Sequence, residues 1–453
     1  MSTFKIFISL LIISYNLQAQ PPAENITNKL NDYLVSAATA YKFNGVALVA
    51  RKGEVLLHKA YGWKNIVDNT YIDTASIFPI LSITKSFTAM VILKLQEENK
   101  LSVKDKVSKY LPDFPNGDKI SIENLITHTS GLYNYTDDIG EEDSAIVNHP
   151  VARKRVLDIF YNKPLSYEPG QGFDYNNSGY YLAGMIIEKV SGKTWEQNIR
   201  ELIFDPLKMN SSGFDFNGLP EKEKVTGYQF LDAQKEKPYT FVDSTVSYSA
   251  GSIYSTTSDM YKWTQAIASR QILSNKSWEY AFKPHASDYG FGFRINNFFK
   301  KRYIKHSGGY PGFVSEFIYY PKEDVTIILL KNTGNYGEDL WPVTMGISCI
   351  VFGMPYDLWK RRTEIKLTNE QLREKEGRYG ASKIKVSFKV TDDQLYEILS
   401  NGMEFPLLAE SEDSFYLQNF NTTVQFKRNN EGIIDHVVIH EHGKDYELKK
   451  LKD

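Results

Sequence analysis

The sequence predicts an α+β fold, an antiparallel sheet flanked by helices with a helical insert, followed by a small β-barrel-like domain at the C-terminus. Three observations lead there. Strand-like runs stand near the start of the chain (residues 43–50 and 55–60) and again far along it (313–320 and 325–332). The stretch between them mixes helical periodicity with loops rich in Gly, Pro, Asn and Ser, so a sheet built from both ends with a helical insert is the natural reading. Beyond about residue 360 come several short alternating segments in close succession, the pattern of a small β-barrel or β-sandwich.

The elements follow in order. Residues 20–41 read as a helix. Residues 43–50 read as a strand, Arg51-Lys52-Gly53-Glu54 as a turn, and 55–60 as the returning strand. From Ser82 the period changes: Ile83, Phe87, Met90 and Val91 share a helical face, and Glu97-Glu98-Asn99-Lys100 closes it. A helix is expected over 180–190. Residues 289–295, 302–305, 313–320 and 325–332 read as short strands, with a turn at Pro321-Lys322-Glu323-Asp324. Residues 360–371 are charged and read as helical. The tail strands are expected at 384–390, 394–399, 404–408, 414–419, 423–428 and 433–440. The boundaries that result are 1–19, 20–360 and 361–453.

The first 19 residues read as a secretory signal. Lys5 precedes the apolar run at 6–13, and Ala19 supplies a small residue for cleavage. That run is far shorter than the ~20 residues that span a bilayer. An exported protein, periplasmic or secreted and without stable membrane insertion after cleavage, is therefore expected. Cys349 is the only cysteine, which excludes an intrachain disulfide. With 42% hydrophobic and 24% charged residues the composition is that of a globular protein. A formal net charge of −2 provides no global field for nucleic acid or an anionic membrane.

The chemistry is concentrated in three places. Ser82 and Lys85 lie three apart at the opening of an amphipathic helix, hence on one face. A serine hydroxyl needs a base or charged partner to act as a nucleophile. The start of a helix also offers free N–H groups for an oxyanion. The same spacing recurs at Ser2/Lys5, inside the signal, and at Ser382/Lys385, on a strand where i and i+3 face opposite sides. Taken alone, Ser82/Lys85 also fits a capping serine and a surface lysine. The second place is the polar loop 168–179, which carries Tyr175 and Asn177 and leads into a helix. The third is Lys305-His306-Ser307-Gly308-Gly309, at the end of a strand.

In this order and spacing the three segments resemble the serine β-lactamase and penicillin-binding-protein superfamily, and within it the class C β-lactamase, D-alanyl-D-alanine carboxypeptidase and esterase branch (peptidase family S12). Residues 125–132, 250–255 and 309–313 are similar to further stretches of that family, and the tail resembles its appended lipocalin-like domains. The resemblance covers about residues 25 to 350. It implies a β-lactamase/transpeptidase-like fold and an acyl-enzyme on Ser82. Lys85 and Tyr175 would move the proton, Asn177 would position the substrate amide, and His306, with Gly308 and Gly309, would line the opposite wall. The backbone of Ser82 and Gly309 would form the oxyanion site. His128, in the first of the extra stretches, would hold the cleft in shape.

Which residue is the base stays open at this point. Free lysine and tyrosine titrate near ~10.4 and ~10, and a charged Lys85 would ease ionisation of Tyr175, favouring a shared Ser–Lys–Tyr network. His306-Ser307-Gly308 departs from the Lys-Thr-Gly of efficient β-lactamases. Hydrolysis of a peptide amide or ester is therefore expected ahead of weak β-lactamase activity, with small D-amino-acid peptides, cell-wall peptides among them, or carboxylic esters as substrates. A catalytically silent binding or scaffold protein is the reading from another class. No cofactor is implied. His440 and His442 are the one close histidine pair; lacking further ligands nearby, they read as a solvated strand face rather than a metal site. Oligomeric state is left open.

Overall fold

The computed structural model describes residues 23–138, 149–231, 236–239, 241–334, 339–382, 384–417 and 419–451. The expected signal, residues 1–19, lies outside them. Helix α1 (Ala23–Thr39) precedes strands β1 (Gly45–Arg51) and β2 (Glu54–Tyr61). The helical region contains α2 (Thr84–Glu97), α3 (Asn177–Ser191) and α4 (Ser244–Gly251). Strands β3 (Arg294–Phe298), β4 (Lys301–Tyr310), β5 (Phe313–Tyr320) and β6 (Val325–Lys331) follow, then α5 (Trp341–Val351).

These six strands form one antiparallel sheet in the order β2-β1-β6-β5-β4-β3, so the chain's first hairpin docks on the last of the sheet's strands in sequence. Alternation assigns the faces. Val46, Leu48, Phe317, Ile328 and Leu330 point forward into a core shared with α2 and the helical insert. Ala47, Val49, Ile318, Ile327 and Leu329 point back against α1 and α5. Because both faces are covered, β5 and β6 are buried along their whole length. This is the β-lactamase-like arrangement that the sequence predicts.

Two segments differ from expectation. Residues 289–293 form a tight loop, and the strand begins at Arg294. The reason is steric: at Gly292 (φ +77) a Cβ would come 2.7 Å from the Ser86 Cα, so this stretch is a close backbone contact with α2 rather than a ladder. Residues 360–367 are irregular. Helix forms only at Asn369–Arg373, where the Thr368 side chain accepts from the Gln371 N–H in a capping box.

The tail is a closed eight-stranded barrel, β7 (Gly377–Ala381) through β14 (Lys444–Lys450), each strand pairing with the next and the last with the first. Tyr379, Phe388, Leu395, Phe415, Phe426 and Val437 fill its interior, as in other small barrels. The connecting segment is tied to both parts. Trp359 donates through Nε1 to the Tyr33 hydroxyl (2.9 Å) on α1, and Asp357 accepts from His440 of the barrel (2.8 Å). His440 also meets Asp445 of the neighbouring barrel strand at 2.5 Å, and its side chain stays partly exposed.

Candidate active site

Ser82 sits in a 3-10 turn, Leu81–Ile83, that runs directly into α2. Leu81 adopts φ 53, an uncommon left-handed conformation for a non-glycine residue. It is held there by neighbouring bonds: the Ile80 N–H donates to Ile253 O (2.9 Å) and the Ile253 N–H to Thr84 Oγ1 (3.2 Å). One turn along, Lys85 is fully buried. Its Nζ lies 2.9 Å from Ser82 Oγ and donates to the Ala250 carbonyl at 2.8 Å. That carbonyl faces α2 because α4 is broken at Tyr248 (φ 37, ψ −133).

The ammonium position is enclosed by rings, 5.0 Å from the centroid of Tyr175 and 5.6 Å from that of Tyr180. Among the described residues no carboxylate lies within ion-pairing distance of it. Burial accordingly lowers the Lys85 pKa well below the usual lysine value. Tyr175 moves the other way: burial raises its pKa, and its hydrogen bond with Ser82 offsets only part of the rise. Desolvation thus drives the amine towards neutrality and the phenol away from ionisation, the reverse of a charged lysine easing the tyrosine's ionisation.

Asn177 is the first residue of α3. Its N–H donates to Asn134 Oδ1 (2.9 Å) and its Nδ2 to Thr136 Oγ1 (3.0 Å). The preceding Asn176 caps the helix by accepting from the Gly179 N–H. The N–H of Asn176 in turn donates to Nδ1 of the buried His128 (2.9 Å), whose ring lies 4.2 Å from that of Tyr175.

His306 is on the front of β4 and is only 3% exposed. Its Nδ1 is 2.7 Å from the Ser307 carbonyl, which can only accept, so Nδ1 carries the proton. Nε2 then accepts from the Tyr289 hydroxyl at 2.8 Å. Burial pulls its pKa down to about 3. At Gly308 a Cβ would stand 2.6 Å from Ile80 O, so glycine permits β4 to press against the nucleophile's turn; Gly309 faces open space. The cavity in front of this group holds about 320 Å³ and is lined by Ser82, Asp137, Asn177, Val246, Gly309 and Tyr310, among others. Ser82, Asn177 and Gly309 reach its surface, while Lys85, Tyr175, His306 and Gly308 are not part of its lining.

Sequence reasoning missed the Ala250 carbonyl, Tyr289 and Asp137. A backbone acceptor leaves no residue signature. Tyr289 falls in a run that reads as a strand, and Asp137 stands in an unremarkable polar run.

The beta-lactamase family model matches residues 30–341. The chain belongs to the beta-lactamase family. It is a serine hydrolase related to the β-lactamases, and family relatives agree over most of its length. A penicillin-binding protein of Bacillus subtilis (strain 168) is 29% identical over 454 residues, covering 95% of this chain and all of that one. The teichoic acid D-alanine hydrolase of Staphylococcus aureus is 29% identical over 322 residues, 68% of this chain and 74% of that protein. The octameric penicillin-binding protein homologue from Pyrococcus abyssi superposes with a TM-score of 0.65 at 25% identity, over 93% of this chain and 99% of that one. No helix among the described residues is long and apolar enough to cross a membrane.

Proposed function

We propose that the protein is an exported hydrolase that cleaves amide or ester bonds of D-amino-acid substrates through an acyl-enzyme on Ser82. The observation that carries this reading is the desolvated Lys85 amine, 2.9 Å from a hydroxyl that opens on a cavity. A neutral amine keeps an N–H for Ala250 O and turns its lone pair to Ser82. The hydroxyl proton passes to Lys85 Nζ as Oγ bonds to the carbonyl carbon. The backbone N–H groups of Ser82 and Gly309 take the oxyanion. β3 pairs with β4 only as far as Lys305, which leaves the strand edge open at Gly309. One such donor is typically worth ~2.7–4 kcal/mol. When the tetrahedral intermediate collapses, the leaving amine or alcohol takes the proton back through Lys85 and the neutral Tyr175 phenol. A water molecule then gives a proton to Lys85, attacks the ester carbonyl, and releases the acid while Oγ regains its hydrogen.

Asn177 would hold the substrate amide and His306 would stiffen the wall behind Tyr175. A neutral His306 supplies no fixed charge for a β-lactam carboxylate, which places β-lactam turnover second. The N-terminal run at 6–13 and the cell-wall relatives support export. The decisive experiment treats the purified protein with a fluorophosphonate probe and maps the adduct by peptide mass spectrometry. The expected result is one adduct on Ser82 that is absent in Ser82→Ala, together with loss of hydrolysis. Hydrolysis unaffected by Ser82→Ala would overturn the mechanism.

A further inference from the structure

The cavity beside Ser82 has a one-sided charge. Among its described lining residues Asp137 is the sole carboxylate, and no lysine, arginine or histidine joins it. The nearby cations are engaged elsewhere. Lys85 is bound to Ser82 and Ala250 beneath the surface, and Arg294 pairs with Asp288 at 2.6 Å. A substrate carboxylate entering this cavity would meet a carboxylate and no opposing cation. An ammonium group would meet the reverse.

Asp137 is also placed with the group expected to hold substrate. The Asn134 amide donates to its Oδ1 at 2.7 Å, and Asn134 Oδ1 in turn accepts the N–H of Asn177. Thr136, the adjacent residue, accepts from Asn177 Nδ2. Asn134, Thr136, Asp137 and Asn177 therefore form one hydrogen-bonded wall. The rest of the lining carries no charged side chain: beside the hydroxyl-bearing Tyr135, Ser247 and Tyr310 it is small or apolar, as at Leu81 and Val246. Where an N-acylated substrate presents an amide to Asn177, a free aminoacyl substrate presents an ammonium.

We infer that Asp137 is a specificity residue that selects substrates with a free ammonium group beside the scissile carbonyl and selects against a carboxylate there. The preferred class is then unblocked D-aminoacyl amides and esters, rather than N-acylated peptides with a terminal carboxylate. This inference rests on the acyl-enzyme reading of Ser82.

The test compares D-alanine p-nitroanilide with its N-acetyl derivative. Wild-type protein is expected to favour the free amine. Asp137→Asn should lower kcat/KM for the free amine about fivefold, mainly through KM, and leave the N-acetyl substrate within about twofold, the scale of an exposed charge pair. Because Asp137 is exposed, the preference should weaken between about 0.05 and about 0.5 M salt. Protection of Ser82 from the fluorophosphonate by D-alaninamide against N-acetyl-D-alanine gives the same comparison without turnover. Equal or better handling of the N-acetyl compounds by wild type, or an equal loss for both substrates in Asp137→Asn, would overturn the inference while a Ser82 adduct kept the underlying reading intact. Absence of the Ser82 adduct would overturn that reading instead.

Discussion

Lys85 and Lys305 are both withdrawn from water, one in front of the six-stranded sheet and one behind it, and their surroundings treat them oppositely. Behind the sheet, Lys305 Nζ meets the carboxylate of Glu316 at 2.9 Å and stands 4.2 Å over the ring of Trp341. Glu316 is 1% exposed and also accepts from the Thr344 hydroxyl. Burial pushes the Lys305 pKa down, but the charges of Glu316 and Asp339 more than reverse this, and the net shift is upward. In front, Lys85 has a hydroxyl, a carbonyl and two rings for company, and its pKa falls well below the usual value. Burial is common to both, so the partner decides. A paired lysine is a structural element; an unpaired one beside a hydroxyl is a base in waiting.

Exchanging each lysine for methionine separates the two roles. Lys85→Met is expected to lower kcat and the rate of fluorophosphonate labelling at least ~10³-fold, because no other group is set to take the Ser82 proton. Its stability should shift by no more than ~2 kcal/mol, since an unfavourably buried amine is removed along with one hydrogen bond. Lys305→Met should do the converse. It strands the Glu316 carboxylate and costs ~3–5 kcal/mol, with kcat/KM of the folded protein within about threefold of wild type. Urea unfolding followed by tryptophan fluorescence reads this cleanly: all six tryptophans, the last at Trp359, precede the barrel. Retained activity in Lys85→Met, or an activity loss in Lys305→Met that matches its own, would break the contrast between the two faces.

The sequence discloses the parts of this arrangement that depend on side-chain period and little of what depends on the backbone. Ser82 and Lys85 were legible because i and i+3 meet at the opening of a helix with an apolar face. The barrel strands were legible because inward residues such as Leu395, Val424 and Val437 alternate with polar ones. The sheet built from both ends followed from two sets of strand runs. What eluded reading is main-chain geometry. The kink at Tyr248 delivers the Ala250 carbonyl to Lys85, and Gly292 folds 289–293 against α2 and so places the Tyr289 hydroxyl on His306. The charged run at 360–367 has helix-forming residues, yet its chain is used to bridge two domains, with Arg362 paired to Glu410 at 2.7 Å.

The same contrast extends along β4, where His306 follows Lys305 but faces forward. Like Lys85 it is buried without a carboxylate, and its neutral form is fixed by the Ser307 carbonyl on one side and the Tyr289 hydroxyl on the other. With a pKa of about 3 in the folded protein against ~6.5 when unfolded, the unfolded chain binds a proton through that interval while the folded chain does not. Stability from this group is therefore fully present above pH ~6.5 and is lost as pH falls towards 3. Roughly 2 kcal/mol should go between pH 6.5 and 5, less than the Lys305→Met deficit. His128, also shifted down by burial, adds a loss of the same sign. Replacing His306 with glutamine should accordingly reduce the acid slope of the tryptophan-monitored unfolding free energy by about one proton, leaving the share of His128. Wild type and His306→Gln losing stability in parallel from pH 6.5 to 5 would mean that His306 is already protonated in the fold. The front of the sheet would then tolerate a buried charge without a carboxylate, and the basis for a neutral Lys85 would fail with it.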